Sequence, residues 1–372
     1  MSGIYVHIPF CQSRCIYCGF YSTTLMEQRQ RYVDALCLEY DMRRDYITHP
    51  PTTIYIGGGT PSVLTASQLE QLFATVADNA SQSVEVTLEC NPDDVTDELA
   101  ALLRRLPVNR VSMGTQTFSD ERLRFLHRRH TSGQVALAVD RLRHAGIDNI
   151  SIDLIYGFPG QTLAEWEADV DKALALHVEH LSAYALSYEE GTTLYRFMEQ
   201  GRVLPVGDEQ SRAMYYSLLD RTAAAGFEHY EISNFALPGR RSRHNSGYWN
   251  QTPYLGLGAA AHSYDGKSRQ WNVADIVQYM QGVESGNMIT EGEPIDGDTR
   301  YNELVMTSLR TSDGLPLLLL SPVERSYCLN MSARYLDSGL LVHDKAKDCL
   351  RLKRDGLFVS DMIIADLMKV AK

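Results

Sequence analysis

Short runs of β-branched and aromatic residues alternate along this chain with longer stretches of helical period, the pattern of repeated βα units around a parallel sheet. Candidate strands fall at 4–8, 54–56, 84–88, 110–113, 150–155 and 180–186, and a seventh run at 227–232 would extend the sheet. Candidate helices lie near 26–46, 66–79, 96–105, 133–145, 163–177 and 208–225, several introduced by Ser, Thr or Asp at N-cap positions. Six such units predict an α/β fold, an incomplete (β/α)6 barrel of the TIM type. Beyond about residue 285 the style changes. Gly, Asp and Glu gather in Glu291-Gly292-Glu293-Pro294-Ile295-Asp296-Gly297-Asp298, which reads as a linker. Helical patterns near 299–310, 322–328 and 331–338 then lead to two short runs at 339–343 and 349–353 and a final helix near 360–370. Helices with a small hairpin predict a C-terminal α+β domain of winged-helix-like form. The resulting division is 1–235 for the barrel, 236–290 for an extension of it and 291–372 for the C-terminal domain.

A parallel barrel carries its chemistry on the loops at the C-terminal ends of its strands. The unusual residues fall there. Cys11, Cys15 and Cys18 follow the first strand, and Gly57-Gly58-Gly59-Thr60-Pro61 follows the second. Glu89 and Asn91 follow the third, Gln116 the fourth, and Asp153 lies in the fifth just before Tyr156-Gly157-Phe158-Pro159. Singly, each reads as a tight turn or a solvated polar group. Spread over five successive strand ends, they are hard to attribute to core packing.

The stretch Cys11-Gln12-Ser13-Arg14-Cys15-Ile16-Tyr17-Cys18 puts three cysteines in eight residues. A structural zinc site wants four ligands, and Cys37, Cys90, Cys328 and Cys349 each stand alone. Cys328 and Cys349 read as packing residues. A disulfide framework fits poorly with an odd total of seven cysteines. Three thiolates suit a four-iron cluster that keeps one iron open to a substrate or cofactor.

The Cys-x-x-x-Cys-x-x-Cys spacing resembles the radical S-adenosylmethionine (SAM) superfamily, which implies a 4Fe-4S cluster whose open iron chelates SAM. Together with Tyr5-Val6-His7-Ile8-Pro9-Phe10-Cys11, Gly57–Pro61, Met113-Gly114-Thr115-Gln116-Thr117-Phe118 and Asp153–Thr162, it is similar to the oxygen-independent coproporphyrinogen III oxidase group. That resemblance implies that Tyr5, Gly58, Gly59, Thr60, Glu89, Gln116, Arg128 and Asp153 line a SAM pocket, with Tyr17 beside the cluster. The group contains two functions. The dehydrogenase, which decarboxylates coproporphyrinogen III oxidatively, carries a further cysteine in a Cys-Gly-Cys pattern, whereas this chain reads Cys18-Gly19-Phe20. It also begins almost at the motif. Both departures favour the HemW-like haem chaperones, and leave open whether the chain is an enzyme.

His244-Asn245-Ser246-Gly247-Tyr248-Trp249 looks like the His-Asn-x-x-Tyr-Trp motif of that second type, and Tyr254–Ser263 like the glycine-rich segment after it. The resemblance implies haem as cargo with His244 as its ligand, since a neutral imidazole binds haem iron well and aromatics cover a porphyrin face. The preceding Arg240-Arg241-Ser242-Arg243 could meet haem propionates. Haem-requiring recipient proteins are the implied partners, and a homodimer is compatible with the family.

Charge adds an exclusion. With 35 Lys+Arg against 47 Asp+Glu the chain is acidic, which disfavours a nucleic-acid or anionic-membrane surface, the basic run 122–130 included. In this family the C-terminal domain implies a cap rather than a DNA reader. The longest aliphatic run, 317–320, is too short to span a bilayer, so membrane contact would be transient. Free cysteines without an export signal point to a cytoplasmic protein.

Overall fold

The computed structural model describes residues 2–369. Six strands run parallel and adjacent in chain order: β1 (Gly3–Ile8), β2 (Thr53–Gly58), β3 (Glu85–Cys90), β4 (Arg110–Gln116), β5 (Ile150–Tyr156) and β6 (His180–Ala185). Their side chains alternate, apart from an irregularity in β4 between Met113 and Gln116. Ile4, Ile54, Val86, Val111, Ile152 and Leu181 point to one face and are fully buried under helices. On the other face the register sets Tyr5 beside Tyr55, Thr87 beside Arg110, Glu89 beside Ser112, and Asp153 beside Ser182. The barrel is therefore apolar outside, beneath its helices, and polar within.

The helices that follow the strands are α1 (Arg29–Arg43), α2 (Ala66–Val76), α3 (Asp97–Leu103), α4 (Asp120–Phe125), α5 (Ser132–His144), α6 (Leu163–Ala175), α7 (Thr193–Glu199) and α8 (Asp208–Ala224). Side chains fix several starts. Thr65 and Gln68 close a capping box on α2, Thr162 and Glu165 another on α6, and Thr96, Ser119 and Thr192 cap α3, α4 and α7. The short α4 and α7 were not expected.

The run at 227–232 extends the sheet as expected, in antiparallel rather than parallel pairing. It forms β7 (Glu228–Glu231), which turns back into β8 (Asn234–Ala236), and β8 pairs antiparallel with β6. At the opposite edge α9 (Arg243–Trp249) leads to β9 (Tyr254–Leu257), which joins β1 in parallel. The sheet continues antiparallel through β10 (His262–Tyr264), β11 (Ser268–Asn272) and, after α10 (Ile276–Glu284), β12 (Thr290–Pro294).

This overturns part of the expected linker, because residues 290–294 pair in full register with β11. Every residue of β12 is exposed, so no apolar alternation marks it in the sequence, and its acidic residues and proline suit an uncovered sheet edge.

The remaining residues form α11 (Gly297–Leu309), β13 (Leu315–Pro316), α12 (Pro322–Asp337), β14 (Leu341–Asp344), β15 (Cys349–Leu352), α13 (Arg354–Leu357) and α14 (Ser360–Leu367). The two helices expected at 322–328 and 331–338 are one. A three-stranded antiparallel sheet in the order β13-β15-β14 packs with these helices over its own core, which includes Tyr301, Leu309, Cys328 and Leu350. Cys328 and Cys349 are buried, as packing residues should be. Among the described residues no helix is long and apolar enough to cross a membrane.

Candidate functional site

The cysteine loop is anchored at its root, its middle and its end. Phe10 is buried edge-on against Tyr32, with ring centroids 5.4 Å apart. Thr23 N donates to Pro9 O at 2.7 Å and Cys11 N to Thr23 O at 2.9 Å, so the loop closes on itself. Midway, Ile16 N donates to Leu126 O and Ile16 O accepts from Leu194 N at 2.8 Å. The Ile16 side chain enters a satellite core with Leu126, Ile155, Phe158, Leu186 and Leu194. This cluster over the barrel top is what α4 and α7 provide.

Cys11, Cys15 and Cys18 all open onto one cavity of about 800 Å³ at the C-terminal ends of the strands. Arg128 Nη1 stands 3.6 Å from Cys15 Sγ, while its Nη2 donates to Asn91 Oδ1 at 2.5 Å and Gly114 O at 2.6 Å. Burial pushes the Cys11 and Cys18 thiols up. Three thiols on one anchored loop, with a guanidinium alongside, fit a cluster with three protein ligands. No three His, Cys, Asp or Glu side chains among the described residues gather about a single ion. A cluster instead spreads its thiolates over several irons.

The glycine loop packs under the root of the cysteine loop. At Gly59 an added Cβ would meet Phe10 O and Pro9 C at 2.9 Å and Cys11 Sγ at 3.0 Å. Gly58 sits at φ +111°, where a Cβ would strike the His7 ring, and its amide donates to Glu89 Oε2 at 3.0 Å. Thr60 Oγ1 lies 3.7 Å from Cys11 Sγ.

Glu89 and Asp153 face the cavity from adjacent parts of the barrel interior. Burial raises the Glu89 carboxyl to about 7, opposed by the Tyr55 hydroxyl that donates to its Oε1 at 2.6 Å. Burial likewise raises Asp153 to about 6, with Ser182 and Arg110 opposing. Gln116 reaches the same cavity through a register shift between Met113 and Gln116, which leaves it at φ +67°.

The structure thus gathers Tyr17, Gly58, Gly59, Thr60, Glu89, Gln116, Arg128 and Asp153 with the three cysteines around one cavity. It does not bring Tyr5 or His244 to that lining. Tyr5 lies deeper in the barrel, its hydroxyl 3.0 Å from His7 Nδ1 and its ring near Tyr55 and His244. His244 sits at the other end of the strands, 4% exposed, on α9. Its Nδ1 is 2.9 Å from Thr53 Oγ1, its Nε2 is 2.9 Å from Tyr248 Oη, and its ring stacks on Tyr55 with centroids 5.1 Å apart. Burial pushes the imidazole down to about 3, so it is neutral.

Glu85 holds the start of α9, accepting from the amides of Arg243 and His244. The space beside His244 is about 40 Å³, room for water and far too little for a porphyrin. In this structure His244, where the haem ligand was expected, plugs the barrel floor with both ring nitrogens hydrogen-bonded. Of the flanking arginines, Arg241 pairs with Glu228 and Arg243 donates to Ser83 O.

Sequence reasoning missed Tyr55, Ser112, Ser182 and Tyr184, which also line the cavity. The signal was the polar member of each alternating pair along β2, β4 and β6.

Residues 5–173 match the Radical SAM superfamily. The chain is 38% identical to the heme chaperone HemW of Lactococcus lactis over 84% of its own length and 83% of that protein. It is 35% identical to the heme chaperone HemW of Mycobacterium tuberculosis over 98% of its length and 94% of that protein. This chain belongs to the HemW family. The HemW fold is shared with the coproporphyrinogen III oxidase HemN of Escherichia coli, a radical SAM enzyme of known structure that superposes with a TM-score of 0.83. That likeness covers 99% of this chain and 90% of HemN at 22% identity. Membership of the radical SAM superfamily implies a 4Fe-4S cluster and SAM.

Proposed function

We propose that this chain binds haem and passes it to haem-requiring proteins, with a 4Fe-4S cluster on Cys11, Cys15 and Cys18 and SAM held in the adjoining cavity. One observation carries the reading: relatives bearing the heme-chaperone name align with nearly the whole chain, C-terminal helices and hairpin included. Phe20, where the dehydrogenase pattern has a further cysteine, supports the same side.

The residues have divisible tasks. Arg128 offsets thiolate charge at Cys15 and fixes Asn91. Gly58 and Gly59 let backbone approach the ligand, and Glu89 and Asp153 offer carboxylates to the cationic amino and sulfonium groups of SAM. Tyr17 packs beside the cysteines, and Gln116 adds an amide. When bound, the cluster and SAM supply one-electron reductive chemistry. The recipients are haem-requiring proteins met in the cytoplasm, and a homodimer belongs to the same reading.

The test is titration of the anaerobically reconstituted protein with haem, alongside an assay for conversion of coproporphyrinogen III to protoporphyrinogen IX and a mass measurement in solution. Stoichiometric haem binding without turnover is expected. Turnover without specific haem binding would move the chain to the dehydrogenase.

A further inference from the structure

Resting on the haem-carrier reading, we infer that haem sits at the mouth of the cysteine-lined cavity, with His127 as its iron ligand, Arg14 meeting a propionate and Phe20 covering a ring face. The starting point is the mismatch at His244. That imidazole is buried, spends both nitrogens on Thr53 and Tyr248, and borders a space of about 40 Å³. The mouth of the large cavity offers what the floor lacks.

His127 is the sole histidine lining that cavity, it is exposed, and among the described residues neither of its ring nitrogens has a hydrogen-bond partner. It follows α4 at φ +61°, a conformation that glycine takes at helix ends by default. Histidine is among the side chains that tolerate this conformation, and here it places the ring at the cavity. Its backbone is fixed all the same. The His127 amide donates to Arg124 O at 3.1 Å, Arg128 N to Leu123 O at 2.9 Å, and Leu126 O accepts from the cysteine loop at Ile16. The imidazole is thus held in register with the loop that carries the cluster ligands.

Two further rim residues match the other parts of a haem. Phe20 leaves 69% of its surface exposed at the mouth, a flat apolar face without cover. Arg14 is exposed on the same rim and, among the described residues, has no carboxylate within 4 Å. Arg129 nearby is already spent on Asp93 and Asp94. An unpartnered imidazole for iron, a free guanidinium for a carboxylate and an aromatic face for the macrocycle therefore line one opening.

The experiment titrates anaerobically reconstituted protein with ferric haem b and follows the Soret band and the axial-ligand signature in electron paramagnetic resonance. Wild type, His127→Gly, Arg14→Glu and His244→Ala are compared, each with its iron content measured. His127→Gly relaxes the left-handed backbone, so the fold is kept. At least tenfold weaker binding with loss of histidine ligation is expected for His127→Gly, restored by added imidazole, and several-fold weaker binding for Arg14→Glu. His244→Ala protein that retains its cluster keeps the wild-type spectrum. A His127→Gly variant with wild-type affinity and spectrum would overturn the site while leaving the haem-carrier reading intact. So would loss of histidine ligation in cluster-loaded His244→Ala. Wild type that binds no haem sinks the carrier reading itself, and this site with it.

Discussion

The Tyr55 hydroxyl donates to Glu89 Oε1 across 2.6 Å, and the amide of Gly58 donates to the other oxygen at 3.0 Å. Even so, burial holds this carboxyl at about 7, far above its ordinary value. A folded-state pKa raised above that of the unfolded chain means the native state binds the extra proton. The associated stability is fully present below about 4.5 and is lost as pH rises through about 7. Between pH 5 and 8 the apo-protein should therefore lose on the order of 1–2 kcal/mol relative to Glu89→Gln, less than full burial would give because the group lines an open cavity. Urea unfolding of both proteins across that range checks it, and a constant difference would contradict the burial argument.

If Glu89 faces the charge of SAM as proposed, the same carboxylate should give SAM binding a pH profile. A cationic ligand needs Glu89 ionised, so affinity should tighten by roughly tenfold between pH 6 and pH 8 and then level off. Glu89→Gln should bind weakly with a flatter profile. Isothermal titration of cluster-loaded protein at several pH values distinguishes the two. A flat wild-type profile would remove Glu89 from contact with the ligand's charge.

What the sequence disclosed and what it concealed have separate causes. Strands and helices that bury one face carry a period, and all six barrel strands and the helices near 66–76, 132–144 and 163–175 were legible for that reason. β12 has no buried face and reads as a linker. Cysteines and glycines cluster locally, so Cys11, Cys15, Cys18 and Gly58–Thr60 announced themselves. Gln116 reached the cavity only through a bulge, yet its place at a strand end was enough. At His244 the motif was legible but its neighbours were only partly so. His244 and Tyr248 stand four apart, where helical residues face each other, so the bond between them was readable. The contact to Thr53, across 191 positions, was not.

As a floor plug, His244 should matter for stability more than for cluster chemistry. His244→Ala strands the hydroxyls of Thr53 and Tyr248 and removes the ring stacked on Tyr55, a loss of about 2–4 kcal/mol. Tyr248→Phe removes one hydrogen bond and should cost about 1 kcal/mol. Thermal unfolding gives both values, and the folded fraction of each variant should take up iron as wild type does.

Gly59→Ala tests the seating of the cysteine loop. The new methyl would press on the Pro9–Phe10 backbone, which cannot swing aside as a side-chain end can, and on Cys11 Sγ. A several-fold drop in iron retained after anaerobic reconstitution is expected, with far-ultraviolet circular dichroism unchanged. Wild-type iron content would mean that the loop root can shift without disturbing the cluster ligands.

Glu231 joins the barrel to the C-terminal helices through Arg310. Its side chain is 1% exposed and lies 3.0 Å from Arg310 Nη2, while the guanidinium carbon rests 5.1 Å from the ring centre of Trp249 on the plug helix. Two backbone bonds run alongside, Ile232 N to Arg310 O and Ser312 N to Tyr230 O, both 3.0 Å. Arg310→Ala leaves a buried carboxylate whose remaining donors are Ser233 N and Asn234 Nδ2, so about 2–3 kcal/mol should be lost. Adding Glu231→Gln to that variant should recover part of the loss, because the stranded charge is gone. Arg310→Lys should recover less than its charge suggests, since an ammonium cannot both pair with Glu231 and lie flat on the indole. Unfolding free energies of the single and double variants give the coupling, and Trp249 fluorescence reports whether the plug helix follows. Simple additivity would mean that Glu231 and Arg310 act independently and that the ion pair does not tie the plug to the C-terminal helices.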